Sequence, residues 1–275
     1  MGCGDEILVT GEARALQEAD PARRRVLVVD RHNRPRWHAL WERNPRIVPP
    51  GSERNGERLL RLANAAWTRP YIDWHRMKAE FVAIHPGREF TTKKIRDPRL
   101  PWRFTGHKAK RGELYLERCE KRGYIVIEPH YKAGVSPNRD WGFERYQQVV
   151  NALPGLDWVQ LNPNGSELLR GVRHLPADHF ALACWLLSGA ALYVGPEGGL
   201  YHAAAALSVP AVAIFGGFVS PANQGYDDPN YVNLYEPMDG LSPCGQRVPC
   251  PHCKDAMARI TPERVIAGVR KILNV

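Results

Sequence analysis

Residues 191–216 read ALYVGPEGGLYHAAAALSVPAVAIFG. The run opens as a short apolar β pattern, breaks at Gly195-Pro196, passes the acidic Glu197 and enters a helix of small residues at Gly198-Gly199. The helix is expected over 200–207, and after Ser208-Val209-Pro210 a second β run covers 211–215. Strand, turn, helix and strand at this spacing form the repeating unit of a parallel α/β sheet. The turn suits an anion. Its glycines admit a ligand close to the backbone, and the first N–H groups of the helix point outward without internal partners, at the positive end of the helix dipole. Ala203, Ala204, Ala205 and Ala206 let the helix lie close on its sheet, and His202, one turn in, is placed to lean over a bound anion. On the turn alone, glycines that serve only backbone geometry explain the pattern equally well.

The flanking segments continue the alternation. Residues 124–128 (YIVIE) read as a strand, a polar loop covers 129–140, a helix covers 143–153, and 158–161 is a further strand. A helix over 180–188, capped by Asp178, leads into the central run. Thr261-Pro262-Glu263 starts a last helix reaching about residue 273, with Thr as cap, Pro in the first position and Glu at the positive dipole end. Ligands of such sheets bind at the carboxyl ends of the strands, which is where loops 129–140 and 195–199 fall.

The first half is less regular. After the glycine-flanked start, 7–18 reads as a helix that Asp5 is placed to cap. Residues 25–30 (RVLVVD) read as a buried strand, 44–48 as a short strand, 81–84 as a strand, and 113–121 as a helix ending at Gly123. Charge is uneven: residues 1–122 carry 27 Lys+Arg against 16 Asp+Glu, whereas residues 123–275 carry 11 against 13. The whole excess of +9 therefore lies in the first half, where it concentrates an anionic partner within a Debye length of about 8 Å. Aromatic and basic residues interleave there: Trp67, Arg69, Tyr71, Trp74, His75 and Arg76, then Lys93, Lys94, Arg96, Arg99, Trp102, Arg103 and 107–111. Aromatic faces stack on sugars or bases and cations meet phosphates. With no run of 18 apolar residues and no basic, apolar leader, a soluble, cytoplasmic protein without a transmembrane segment is expected, its six cysteines reduced.

The string Pro-Glu-Gly-Gly-Leu-Tyr-His-Ala-Ala-Ala-Ala-Leu, followed by Val-Pro-Ala-Val-Ala-Ile-Phe-Gly, resembles the nucleotide-sugar signature of glycosyltransferase family 9, the ADP-heptose:lipopolysaccharide heptosyltransferases. That pattern runs Asp-Thr-Gly-x-x-His-x-Ala-Ala-Ala-Leu-x-x-Pro and ends in a Phe-Gly or Tyr-Gly strand; Glu197 stands for the Asp and Gly198 for the Thr. The resemblance covers 123–275 well and 2–48 loosely, and leaves 49–122 unmatched. It implies a GT-B-like α/β fold of two Rossmann-like lobes: 1–122 binding the acceptor, and 123–275 binding the donor, with a C-terminal helix that packs back towards the first lobe. The family's Gly-Asp turn after its first strand matches Gly4-Asp5, so the resemblance makes Asp5 the general base. No strand precedes that turn, so a reduced first lobe lacking its first strand is expected.

The loop at 129–141 resembles the family's first donor loop, in which a Lys shortly before Trp-Pro contacts the sugar diphosphate. Arg139, two residues before Trp141, takes the Lys place, and Gly142 replaces the Pro. Arg binds a diphosphate through paired hydrogen bonds. Lys132 is a second candidate, with a solvated loop lysine as its alternative. Donor contacts are thus expected from Lys132, Arg139, Gly198, Gly199, Leu200 and His202, with Glu197 on sugar hydroxyls and Asn223, beside Gln224, reading the donor. No Asp-x-Asp motif occurs, and no metal is expected at the site. Cys244, Cys250, Cys253 and His252 read as a compact Pro-rich loop with free thiols, because C-x5-C-x2-C lacks a well-placed fourth ligand. The expected function is an inverting transfer of a heptose-like sugar from a nucleoside diphosphate to a hydroxyl on an anionic acceptor, with no cofactor. A lipopolysaccharide core glycolipid, met through peripheral membrane contact, is what the resemblance implies. The basic, aromatic first half also suits DNA with hydroxymethylated bases, and a non-catalytic sugar-nucleotide or polyanion binder is the reading from another class.

Overall fold

The structure is a computed structural model and describes residues 2–65, 68–71, 79, 82, 86, 87, 108–134, 137–161, 167–237, 243 and 249–275. Three of the four residues of the 81–84 strand expectation (all but Val82), Cys244, and the basic and aromatic positions Trp67, Trp74, His75, Arg76, Lys93, Lys94, Arg96, Arg99, Trp102, Arg103 and His107 lie outside the described residues.

Six strands form one all-parallel sheet: β3 (Ile125–Ile127), β4 (Trp158–Gln160), β5 (Arg173–His174), β6 (Leu192–Pro196), β7 (Ala211–Phe215) and β8 (Tyr231–Tyr235). Their order is β5-β4-β3-β6-β7-β8. The chain therefore winds one way from β3 and then reverses, so the loops after β3 and β6 diverge and leave a crevice between them. The strands β3, β6 and β7 are buried along their whole length, as a sheet covered on both faces requires. On one face lie α3 (Phe180–Ser188) and α4 (Gly199–Ala206). Tyr201 and Ala203–Ala205 of α4 are fully buried, and the small side chains bring its axis close to the sheet. On the other face lie α2 (Phe143–Ala152) and α7 (Pro262–Leu273). There Val265 and Val269 meet Val212 and Ile214. Among the described residues the C-terminal helix thus packs on its own sheet, not back towards the first half as the resemblance implied, because its apolar stripe matches β6–β8.

A second, two-stranded sheet pairs β1 (Val26–Val29) in parallel with β2 (Leu60–Ala63). The expected 44–48 strand contributes only a bridge from Ile47 to Val26. Between the sheets lies α1 (Cys3–Ala19), longer at both ends than its sequence pattern. Ile7 enters the large core of α3 and α4, while Val9 and Ala13 enter the core of β1 with Trp41. The helix is buried on nearly all sides over Glu6–Ala13 for that reason. Its buried Glu6 is matched by Arg36 at 2.9 Å and by the Asn64 amide at 3.3 Å.

The helix expected over 113–121 is absent. This segment is irregular, and backbone N–H groups in and beside it bond to other elements instead of forming a helix ladder. Lys110 N–H donates to Glu12, Glu113 N–H to Thr10 Oγ1, Cys119 N–H to Ser188 Oγ and Arg122 N–H to the Gly189 carbonyl, all within 3.0 Å. Tertiary partners override a helix-forming composition. The crossing with α1 is tight: a Cβ on Gly11 would lie 2.3 Å from the Arg111 carbonyl oxygen, and one on Gly112 2.5 Å from the Ile7 carbonyl. Gly11→Ala is expected to cost about 1–3 kcal/mol by overpacking against backbone, read as a lower midpoint in urea. Gly155→Ala, where a Cβ meets nothing within 4 Å, should change stability by less than about 0.5 kcal/mol; equal losses in the two variants would refute the close crossing.

Two smaller corrections concern caps and loops. His179, not Asp178, caps α3: its Nδ1 accepts from Leu182 N–H at 3.1 Å. The cysteine-containing stretch is helical over α6 (Pro251–Arg259) rather than a loop.

Candidate active site

The reversal point between β3 and β6 opens into a cleft of about 500 Å³. The turn after β6 supplies Pro196, Glu197, Gly198, Gly199 and Leu200; the loop after β3 supplies His130, Tyr131, Lys132 and Arg139. The third wall is the start of α1, with Gly2, Cys3, Gly4 and Asp5, joined by Arg69. The two helix starts nearly touch. A Cβ on Gly4 would stand 3.1 Å from His202 Cδ2 and 3.3 Å from Gly199 Cα, so glycine at position 4 is what lets α1 approach the turn. Both helix starts line one space, with the positive dipole end of α4 facing the Asp5 carboxylate in the first turn of α1.

Asp5 lies in the first turn of α1, not before it. Its Oδ2 accepts from Gly2 N–H at 3.1 Å and from Arg69 Nη2 at 3.0 Å, and its Oδ1 accepts from the Tyr71 hydroxyl at 2.5 Å. Burial, and then the negative charge of Asp5, hold the Tyr71 phenol well above its ordinary range. Tyr71 therefore stays a neutral donor. With one lone-pair site on Oδ1 unclaimed by these contacts, the carboxylate is oriented and still able to accept a proton. Arg69 and Tyr71 belong to the interleaved basic and aromatic run, but no feature of that run singled them out.

Arg139 sits at the turn. Its Nη2 lies 2.7 Å from Glu197 Oε2 as a close ion pair outside hydrogen-bond alignment, and its guanidinium stacks over Phe218 with 5.0 Å to the ring centroid. Glu197 lines the cleft but is only 2% exposed, and its other oxygen lies 3.2 Å from His202 Nε2. Burial alone pushes Glu197 up, but Arg139 and His202 together outweigh it and leave the carboxyl below its ordinary range. His202 is buried as well, its Nδ1 2.8 Å from the Tyr226 hydroxyl. The acid and the imidazole expected to face ligand both line the cleft, and Glu197 also pairs with His202 and with Arg139. Lys132 is exposed on the cleft rim. Gln224 lines the cleft whereas Asn223 does not: its Oδ1 accepts from Ser220, and its carbonyl accepts from Ala109 N–H.

At the root of the loop after β3, Glu128 is buried and accepts from His130 N–H at 3.2 Å. Burial pushes its carboxyl up to about 7, against the backbone N–H groups that lower it. An acid whose folded value exceeds its unfolded one loses stability as pH rises between the two, by about 1.4 kcal/mol per unit. Glu128→Gln is therefore expected to exceed the parent by roughly 3 kcal/mol at pH 8 and to equal it near pH 4. Denaturant unfolding at both pH values checks this; a gap of the same size at each would exclude a titrating carboxyl.

Among solved structures, the crystal structure of a family 9 glycosyl transferase from Veillonella parvula aligns with 100% of this chain and 96% of that one, at 18% identity and a TM-score of 0.59. The chain has the fold of a family 9 glycosyltransferase. Escherichia coli heptosyltransferase WaaC with ADP aligns over 99% of this chain and 97% of that chain, at 15% identity and a TM-score of 0.49. TibC, an iron-containing dodecameric glycosyltransferase of enterotoxigenic E. coli, aligns over 60% of this chain at 18% identity and a TM-score of 0.48. This chain spans about half of TibC's length, 49%. No protein-family model and no curated protein matches the chain. Among the described residues no helix is long and apolar enough to cross a membrane.

Proposed function

We propose that this chain is an inverting glycosyltransferase that moves a sugar from a nucleoside diphosphate to a hydroxyl of an anionic acceptor. The observation that carries this reading is that Asp5 and the N-terminus of α4 open into one cleft at the reversal point of the sheet. The diphosphate lies at the N–H groups of Gly198, Gly199 and Leu200, with Lys132 at the rim and Arg139 behind. Asp5 takes the proton of the attacking hydroxyl as the anomeric carbon changes partner, and the departing diphosphate gains negative charge towards the helix start, where fixed donors are worth on the order of 3 kcal/mol each. Lys132 and the backbone amides meet that charge, with Arg139 sharing its own between the diphosphate and Glu197. Glu197 serves as the counter-ion that holds Arg139 and His202 in place, and Gln224 replaces Asn223 as the polar group open to the donor.

The acceptor binds the first half, residues 1–122, where the +11 balance lies. A phosphorylated glycan such as a lipopolysaccharide core is the acceptor class proposed. Part of the positive charge is already matched, Lys108 by Asp227 at 2.5 Å and Arg111 by Asp228 at 3.8 Å, which leaves less for the dense phosphate array of DNA. Calorimetric titration with a panel of ADP-, GDP-, UDP- and CDP-sugars, followed by mass spectrometry of products with phosphorylated glycan or hydroxymethylated duplex as acceptor, tests the reading. Binding of one donor class and a product one sugar heavier supports it. Failure of every donor to bind refutes it, and transfer to the duplex would replace the acceptor.

A further inference from the structure

Outside the cleft, Cys250, His252 and Cys253 converge. All three are buried, and one ligand atom from each lies within 4.8 Å of the others; among the described residues no other three His, Cys, Asp or Glu side chains come together in this way. The convergence follows from how α6 begins. Cys250 is its N-cap, in extended conformation at φ −136° and ψ 136°, and Pro251 occupies the first helical position. Cys253 is then the third helical residue, and the side chains at these two positions meet on one side of the first turn, as in a capping box. His252, between them, closes the third side: its Nδ1 and Nε2 lie 3.4 Å and 3.5 Å from Cys250 Sγ. A zinc ion with sulfur at about 2.3 Å and nitrogen at about 2.0–2.1 Å at tetrahedral angles sets those two ligands roughly 3.5 Å apart. The helix start also favours the negative charge that ligated sulfurs carry.

We propose that Cys250, His252 and Cys253 bind a zinc ion, with a fourth coordination position left to another donor. The donor set of two soft sulfurs and one imidazole selects zinc over magnesium or calcium, which prefer oxygen. The spacing C-x5-C-x2-C offers no well-placed fourth ligand, but the helix start brings Cys250, His252 and Cys253 to one point all the same. The site is structural and does not rest on the proposed reaction. Cys250 N–H donates to Asn138 Oδ1 at 3.0 Å, so the ion ties the start of α6 to the 3-10 turn Pro137–Arg139 that carries Arg139.

Metal analysis of the whole chain, purified under reducing conditions from zinc-supplemented culture, is expected to return about one zinc per chain, in the manner of other folding-coupled sites. Cys253→Ser should lose most of it. Because that variant can also fail to fold, the intact chain is stripped with chelator and titrated with cobalt(II). A thiolate-to-cobalt charge-transfer band with the d–d intensity of a tetrahedral site, bleached by an equivalent of zinc, supports the assignment. Absence of that spectrum in the reduced intact chain, or full zinc retention in the Cys250→Ser, Cys253→Ser double variant, overturns it.

Discussion

Asp5→Asn is expected to lower turnover about 10³-fold, within the 10²–10⁴ range for loss of a general base, while donor affinity stays within a few-fold. The amide keeps the shape of the carboxylate: with its one oxygen accepting from Gly2 N–H and Arg69, its NH2 donates to the Tyr71 hydroxyl oxygen, so the start of α1 holds its place. What it removes is the basicity. On the proposed reading donor affinity rests on the start of α4 and on Lys132 and Arg139, whereas the bonds to Asp5 come from Gly2, Arg69 and Tyr71. Single-turnover kinetics give the rate, and calorimetry of donor binding without acceptor gives the affinity. Turnover within about fivefold of the parent would reduce Asp5 to a helix cap, the role its bond to Gly2 alone would assign it. A parallel fall in rate and donor affinity would point to a collapsed cleft instead of a missing base.

Arg139→Ala is expected to cost about 3–5 kcal/mol of stability, the range for stripping one partner from a buried ion pair. The loss comes less from the pair's own attraction than from the Glu197 carboxylate left at 2% exposure with His202 as its remaining partner. Adding Glu197→Gln to Arg139→Ala removes the stranded charge and should recover much of the stability, a non-additivity that a double-mutant cycle measures directly. The pH dependence has a definite sign. A carboxyl held below its unfolded value of about 4.3 contributes stability that is present above that pH and is lost as pH falls through the folded value. Without Arg139 the acid limb of the stability curve therefore moves to higher pH. Should Arg139→Ala unfold at the same denaturant concentration as the parent, the ion pair would be incidental, and Arg139 would be free to serve the ligand alone.

The contrast between residues 199–206 and 113–121 shows where local reading holds and where it fails. In the first, the glycine turn, the alanine run and the flanking β patterns all point the same way, and α4 begins one residue earlier than its pattern suggested. In the second, Glu, Leu, Lys and Arg favour a helix locally, but Gly112 admits α1 and the backbone finds partners in Thr10, Ser188 and Gly189. No window of sequence contains those partners. The cleft lining divides in the same way: the 197–200 turn was marked by its glycines, and Asp5, Lys132 and Arg139 by the family resemblance of their loops, and all of them line one cleft. The roles of Arg69 and Tyr71 were not so marked, since they reach Asp5 across 64 and 66 residues of chain.

Sequence by itself determined that residues 123–275 form a parallel α/β sheet and that a glycine turn opening a helix follows β6, because hydrophobic period, glycine and helix-start chemistry act over a few residues. Only the tertiary structure decided that Arg139 neutralises Glu197, that α1 brings Asp5 to that turn, and that Cys250, His252 and Cys253 meet. Each of those depends on the free energy of desolvating charged or polar groups together, and that quantity exists only once the chain has folded and water has left the space between them.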